Sequence, residues 1–124
     1  MKIGDIQFGD SSEKLIEKFG EPSEKTIVHG IGDPEWIYKK QGFSVSLDPV
    51  YAIQATSPFS GSTPRGIKIG STEEEVKKAY PDVIVSDNNL AQKSTNDVYY
   101  LNFGMENGVV KSIFMTEDIE LRKY

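Results

Sequence analysis

The sequence predicts an α+β fold in which two tandem copies of a short helix plus an antiparallel β-meander lie side by side, with the helices packed on one side of the sheet. Three observations predict it: a segment that recurs 61 residues later, a helix-capping pattern within both occurrences, and alternating apolar residues afterwards. The recurring segment reads IQFGDSSE at 6–13 and IKIGSTEE at 67–74. We therefore expect a single domain over 1–124, built of two repeats (about 3–56 and 64–118) with a short connector at 57–63.

Each occurrence leads from an apolar pair through a glycine into a predicted helix. A capping residue followed three positions later by glutamate satisfies the free backbone N–H groups of a first turn, so we expect helices at about 11–18 and 72–80. Both would be too short to persist alone and need a sheet to pack on. The glycines are expected at positive φ or at a close backbone approach. The capping pairs are Asp10 with Glu13 and Ser71 with Glu74, and the glycines are Gly9 and Gly70.

The strands are predicted from period-two alternation of apolar and polar residues. An Asn-Gly pair between β-rich runs, at 107–108, predicts a tight hairpin in the second half. The polar stretches at 23–34 and 86–96 are predicted to be irregular. The predicted strands are 36–39, 43–47, 50–56, 98–104 and 109–116.

Composition excludes several classes of function. The net charge is −5, and no cationic stripe is present to displace counterions from phosphates, so the chain is not expected to bind nucleic acid or an anionic lipid surface. No apolar run approaches the ~20 residues of a membrane helix, so no integral membrane segment is expected. The absence of cysteine excludes disulfides, thiolate metal sites and a thiol nucleophile.

Two patterns resemble catalytic or metal sites, and each has a simpler explanation. Gly9-Asp10-Ser11 resembles the nucleophile block of GDS-type hydrolases, but His29 is the chain's one histidine and no partner is evident for it. A helix cap explains this motif and its counterpart at 70–72 equally well. The acidic or amide-rich runs at 73–75, 87–89 and 96–97 lack calcium-loop spacing. We therefore expect no enzyme activity, no cofactor and no metal site.

Aromatic residues on the strands give the remaining candidate site. Alternation places one aromatic set under the helices and leaves Val98, Tyr100 and Phe114 on the opposite face of the second half. Aromatic side chains on an uncovered sheet face often mark a binding surface. Alternatively, the two copies pack against each other there, or single exposed tyrosines carry no function. The set predicted under the helices is Trp36, Tyr38, Phe43, Val45, Leu47, Tyr99, Leu101 and Phe103.

With these elements in place, the chain resembles the superfamily of the SmpA/OmlA outer-membrane lipoproteins and the β-lactamase inhibitor protein. The resemblance rests on residues 3–20 and 63–81, and TPRGIKIGS at 63–71 followed by EVKKAY is similar to tandem versions in bacterial lipoproteins and in domains attached to secreted CAP proteins. It implies a non-enzymatic envelope or extracellular protein that acts through protein contacts. The leader and lipobox cysteine of such proteins are missing from this sequence.

The function expected is therefore a non-catalytic protein-binding module of the bacterial cell envelope, with a protein as partner. The alternative is a small-molecule or cell-wall-fragment sensing domain, with a pocket between the repeats near Trp36, His29 and Asp33. The location expected is the cell envelope or the exterior if a leader has been removed, and the cytoplasm otherwise.

Overall fold

The computed structural model describes residues 2–27, 34–47, 49–81, 83–86, 89–93 and 99–117. Within these ranges the chain forms two helices, α1 (Ser12–Phe19) and α2 (Glu73–Ala79). The strands described are β1 (Lys2–Ile3), β2 (Ile6–Gln7), β3 (Glu24–Ile27), β4 (Pro34–Tyr38), β5 (Phe43–Ser46), β6 (Ala52–Thr56), β7 (Ile84–Ser86), β8 (Asn89–Lys93), β9 (Tyr99–Glu106) and β10 (Val109–Glu117).

Eight of these strands form one antiparallel sheet in the order β3-β4-β5-β6-β10-β9-β8-β7, and β1 pairs with β2 in a separate hairpin. The centre of the sheet is the pairing of β6 with β10, from Ala52 opposite Thr116 to Thr56 opposite Ser112. The prediction of an α+β fold with two tandem helix-plus-meander copies is therefore wrong. The described residues form one eight-stranded antiparallel sheet, the small β1–β2 hairpin and two short helices.

The error has two physical sources. A recurring eight-residue segment specifies a local turn and helix start, and it contains no information about which strands pair. In addition, the stretches predicted to be irregular contain β3 and β8, and β7 is not predicted either. β3 reads Glu-Lys-Thr-Ile and lies at an edge of the sheet, where charged side chains are favourable because they discourage pairing with other chains. Alternation of apolar and polar residues predicts strands that have one buried face, and it does not predict edge strands of this kind.

The recurring segment forms the same local turn at both positions. The Gly9 N–H donates to the Val50 carbonyl at 2.9 Å, and the Gly70 N–H donates to the Val110 carbonyl at 2.8 Å. The φ angles of the two glycines are +93° and +97°, so the expected positive φ is confirmed. No atom lies within 4 Å of a Cβ built at either position, so the backbone angle alone favours glycine there.

The N-cap of each helix lies one residue later than predicted. Ser11 is the N-cap of α1, and its Oγ accepts the backbone N–H three residues on at 3.2 Å. Thr72 is the N-cap of α2 and forms a capping box with Glu75, with distances of 3.1 and 2.9 Å. The predicted caps, Asp10 and Ser71, instead accept backbone N–H groups from three residues earlier and close the preceding turns.

The β9–β10 hairpin has the predicted two-residue turn. Asn107 and Gly108 have φ angles of +56° and +79°, which is the backbone of a type I′ turn. Beyond the turn the register shifts between Val110 and Ser112, so Lys111 is the extra residue of a β-bulge.

One face of the large sheet forms the core together with both helices. Leu15 of α1 and Val76 of α2 are fully buried and belong to the same apolar cluster as the strand residues. The residues predicted for this face are confirmed as buried, except Tyr99, whose side chain lies outside the described part. The confirmed residues are Trp36, Tyr38, Phe43, Val45, Leu47, Leu101 and Phe103.

Candidate functional site

The opposite face of the sheet is the candidate binding surface, here called the open face. The strand register aligns the outward positions of five neighbouring strands across it. Since α1 and α2 both pack on the core face, neither covers it. The open face comprises Glu35 and Ile37 of β4, Ser44 and Ser46 of β5, Ala52, Gln54 and Thr56 of β6, Ser112, Phe114 and Thr116 of β10, and Tyr100 and Asn102 of β9.

Tyr100 and Phe114 lie together on this face. Tyr100 is opposite Thr116, and Phe114 is opposite Asn102, so the two aromatic residues are diagonal neighbours on adjacent strands. Such neighbours are about 7–8 Å apart, within reach of an aromatic side chain. Tyr100 is 37% exposed and Phe114 is half-buried. Val98, the third predicted site residue, lies outside the described residues.

The open face is rich in small hydroxyl and amide side chains. Serine, threonine, glutamine and asparagine alternate along the strands with the buried apolar residues, and larger side chains are few. Surfaces that recognise proteins combine aromatic anchors with adaptable polar groups in this way. Chemically, such a face can form hydrogen bonds and shallow apolar contacts with another polypeptide.

Two grooves lie at the end of the open face where β6 leaves the sheet, and both are lined by Thr56 and Ser57. The larger one, the terminal groove, has a volume of about 470 Å³. The smaller one, the central groove, has a volume of about 300 Å³ and is lined also by Ile37, Ser44 and Gln54. The other residues lining the terminal groove are Ile69, Gly70, Glu106, Asn107, Val109, Val110 and Lys111.

The bulge in β10 shapes the terminal groove. It places Lys111 at the rim, where its Nζ is 2.8 Å from the Glu106 carboxylate, and Val109 nearby is 37% exposed. The groove therefore combines an apolar interior with an exposed ion pair. Sequence reasoning misses both grooves, because a bulge and a strand end depend on register.

A buried polar atom lies beside Phe114. The Oδ1 atom of Asn102 is inaccessible to solvent and has no hydrogen-bond partner within the part of the chain that the structure describes. An unsatisfied buried acceptor costs about 1–3 kcal/mol of stability. The open face thus contains a residue that is unfavourable for the free protein, as functional surfaces often do.

The hydrolase-like motif has the geometry of a helix cap. The Ser11 hydroxyl oxygen is engaged at the first turn of α1, and the Asp10 carboxylate is 3.0 Å from the Lys18 ammonium. His29 lies outside the described residues. The described positions of this motif are accounted for by capping and an ion pair, and the absence of enzyme activity stays a prediction.

The acidic run at the start of α2 is also structural. Glu73 pairs with Lys77 at 3.0 Å, and hydrogen bonds from the Thr72 backbone and hydroxyl lower the pKa of Glu75. Within the described ranges, no group of three histidine, cysteine, aspartate or glutamate residues is placed to hold a metal. Of the predicted turns at 87–89 and 96–97, Asn89 is instead the first residue of strand β8, and the other positions lie outside those ranges.

The sensing pocket predicted near Trp36, His29 and Asp33 stays a prediction, and the structure describes one of these three residues. Trp36 is 8% exposed and lies in the core, with the Lys25 ammonium 4.7 Å from its ring centroid. His29 and Asp33, the other two residues named for this pocket, lie outside the described residues.

No helix in the described part of the chain is long and apolar enough to cross a membrane. No protein-family model matches the chain, and no curated protein matches it.

Among solved structures, the chain is similar to an extracellular protein containing an SCP domain from Bacillus anthracis str. Ames. The TM-score is 0.66 at 18% sequence identity, and the match covers 93% of this chain and 45% of that one. The chain thus spans less than half the length of that protein, and at this identity the similarity shows the fold alone. SCP and CAP denote the same domain, so the link to secreted CAP proteins is supported in part, whereas the comparisons give no support to the SmpA/OmlA resemblance.

Proposed function

We propose that this chain is a non-catalytic protein-binding module of the bacterial cell envelope or exterior, and that it binds its partner through the open face. The observation behind the proposal is that Tyr100 and Phe114 are diagonal neighbours on a face that neither helix covers. Paired aromatic residues of this kind are typical energetic centres of protein interfaces.

The size of the open face supports a modest interface. The five strands of the open face, at about 4.8 Å spacing and about 17 Å long, give a face of roughly 400 Å². A standard interface buries about 800 Å² per partner. An interface of this size is in the range of transient protein contacts.

The extracellular location of the Bacillus protein supports the proposed location of this chain. The negative net charge of −5 opposes binding to nucleic acid or anionic lipid and favours a partner with basic groups.

The test replaces the two aromatic residues. We expect the double variant Tyr100→Ser with Phe114→Ser to lose at least tenfold in capture of a partner from extracts of the organism that encodes the chain, because both anchors are removed. The matched control is Ile16→Ser on α1, since Ile16 is 38% exposed and Tyr100 is 37% exposed. Capture is quantified by mass spectrometry, and circular dichroism checks that each variant is folded.

The proposal fails if the folded double variant captures the same proteins as the wild type. It also fails if Ile16→Ser reduces capture as much as the double variant does, because the recognition would then not be specific to the open face.

The second candidate function is small-molecule or cell-wall-fragment sensing, and the terminal groove favours it. Its volume of about 470 Å³ falls within the range of about 300–1,000 Å³ typical of ligand sites. A ligand at about 100 times its Kd should stabilise the fold by roughly 2.7 kcal/mol. A thermal-shift panel of peptidoglycan fragments and metabolites measures this, and Val109→Lys, which places a charge in the groove, should abolish any shift. Unchanged melting temperatures across the panel would exclude this function for the compounds tested.

A further inference from the structure

A small depression on the open face lies between a carboxylate and an aromatic ring. Glu35 of β4 and Phe114 of β10 line it on opposite sides, with Ser44, Ser46 and Gln54 among the residues between them. The two residues are three strand spacings apart, roughly 14 Å between backbones, and small or polar side chains line the depression between them. The depression has a volume of about 30 Å³.

Glu35 has no cationic partner among the described residues. Its Oε1 accepts a long hydrogen bond of 3.4 Å from the Thr26 hydroxyl. Glu24, the nearby acid on the same face, differs because its carboxylate is 3.1 Å from the Lys39 ammonium. Glu35 is partly buried, so its charge is screened less than that of a fully exposed acid.

The depression is lined by a carboxylate, an aromatic ring and hydroxyl groups. Together these groups are complementary to an ammonium group. The carboxylate provides a charge-assisted hydrogen bond, and the ring face attracts a cation. A volume of about 30 Å³ accommodates one or two water-sized groups, and the ammonium head of lysine has that size. The planar guanidinium of arginine is larger and fits less well.

We propose that the depression between Glu35 and Phe114 receives a lysine side chain of the protein partner. This inference rests on the proposed function and adds the chemistry of recognition: one lysine of the partner inserts next to Phe114, one of the two aromatic anchors. The net charge of −5 increases the encounter rate with a basic partner, and the dependence on Glu35 predicts that binding weakens as salt increases.

The test uses short peptides with one variable side chain. The probes are the capped peptide Gly-Ser-Lys-Ser-Gly and the same peptide with its lysine acetylated, which keeps the length and removes the charge. We expect the lysine peptide to give saturable shifts in the backbone amide signals of Ser44, Ser46 and Gln54 in nuclear magnetic resonance titrations. Acetylation of the peptide should raise the Kd at least fivefold, and an arginine peptide should bind more weakly than the lysine peptide.

Two variants test whether Glu35 is the residue that binds the lysine side chain. Glu35→Gln keeps the shape of the side chain and should raise the Kd for the lysine peptide at least fivefold, whereas Glu24→Gln should leave it within a factor of two. The inference is overturned if the lysine and acetyl-lysine peptides bind equally, if no amide on the open face shifts, or if Glu35→Gln has no effect.

The same variants separate this inference from the proposed function. If the Tyr100 and Phe114 double variant loses partner capture while Glu35→Gln retains it, the open face is the binding surface and the lysine site is wrong. If the double variant retains capture, the proposed function itself is wrong.

Discussion

At the scale of single residues, Gly42 shapes the central groove because a side chain there has no space. A Cβ at this position would be 2.5 Å from the Thr56 carbonyl oxygen and 2.6 Å from the Phe59 nitrogen, and φ is +85°. The Gly42 carbonyl accepts the Thr56 N–H at 2.8 Å, and both residues line the groove. The close approach of these two backbones thus helps to form one wall of the candidate site.

Gly42→Ala should destabilise the protein far more than Gly9→Ala. Both glycines have positive φ, +85° and +93°, but only at Gly42 would the new Cβ meet backbone atoms. We expect the free energy of unfolding to fall by about 3 kcal/mol for Gly42→Ala, because backbone strain and a clash act together. For Gly9→Ala we expect a fall of about 1 kcal/mol, because only backbone strain acts there. Urea unfolding followed by circular dichroism measures both, and equal losses would contradict the close approach.

Asn102 should limit stability, because its Oδ1 is buried and no described residue forms a hydrogen bond with it. Asn102→Val removes this acceptor and introduces a residue that favours strands. We expect the free energy of unfolding to rise by about 1 kcal/mol, which urea unfolding would detect. A loss of stability in this variant would mean that the side-chain oxygen is hydrogen-bonded in the folded protein.

At the scale of elements, the two helices depend on their caps and on packing. They contain eight and seven residues, whereas isolated helices shorter than about 12–15 residues are marginal in water. In α2 the capping box joins Thr72 to Glu75, and Val76 is fully buried. Helix α2 is therefore stabilised by local hydrogen bonds at its start and by burial of its apolar side.

The capping box predicts a pH dependence. Hydrogen bonds from Thr72 lower the pKa of Glu75 below its ordinary value of 4.5, so the ionised form stabilises the folded state. This contribution is present above about pH 4.5 and is lost as the pH falls through the folded pKa. Wild type should therefore be more stable than Glu75→Gln at about pH 7, and the difference should shrink toward about pH 3. Urea unfolding at both values tests this, and a pH-independent difference would contradict it.

The elements that the sequence predicts well are those with a buried face. Four predicted strands correspond to β5, β6, β9 and β10 within a few residues, and the predicted Asn-Gly turn is correct. The four predictions are 43–47, 50–56, 98–104 and 109–116. Strands β3 and β7 escape prediction because edge strands are defined by backbone pairing, and their side chains show no clear alternation. The predicted caps are displaced by one residue because Asp-Ser and Ser-Thr pairs each offer two possible capping oxygens.

At the scale of the whole molecule, the pairing of β6 with β10 joins the two halves of the chain into one sheet. Pairing of this kind links distant parts of the sequence, so we expect the described sheet to unfold cooperatively. Trp36 is the one tryptophan of the chain and lies in β4, so its fluorescence reports on the first half.

A destabilising substitution in the second half of the chain should therefore also lower the unfolding midpoint that Trp36 fluorescence reports for the first half. Leu101 is fully buried in β9, four strand positions from β4. Leu101→Ala should lower the free energy of unfolding by about 3 kcal/mol. We expect the urea midpoints from Trp36 fluorescence and from circular dichroism to fall together. An unchanged Trp36 midpoint would show that the two halves unfold independently and would contradict a single cooperative sheet.

The candidate site is predictable from the sequence only in outline. Alternation along the strands is sufficient to place Tyr100 and Phe114 on the outer face. It does not reveal that Glu35 and Phe114 line one depression, or that Thr56 connects two grooves, because these relations depend on strand order across the sheet. Strand order is set by long-range pairing, which one sequence does not encode in any local pattern.

The most direct test of the open face as a binding surface is site-specific photo-crosslinking in the organism that encodes the chain. A benzophenone amino acid is placed at Tyr100 or Phe114, and at the exposed helix positions Ile16 or Lys78 as controls. We expect one partner protein to be crosslinked from both open-face positions and from neither helix position. Crosslinking of that partner with equal yield from the helices, or from the helices alone, would contradict the account.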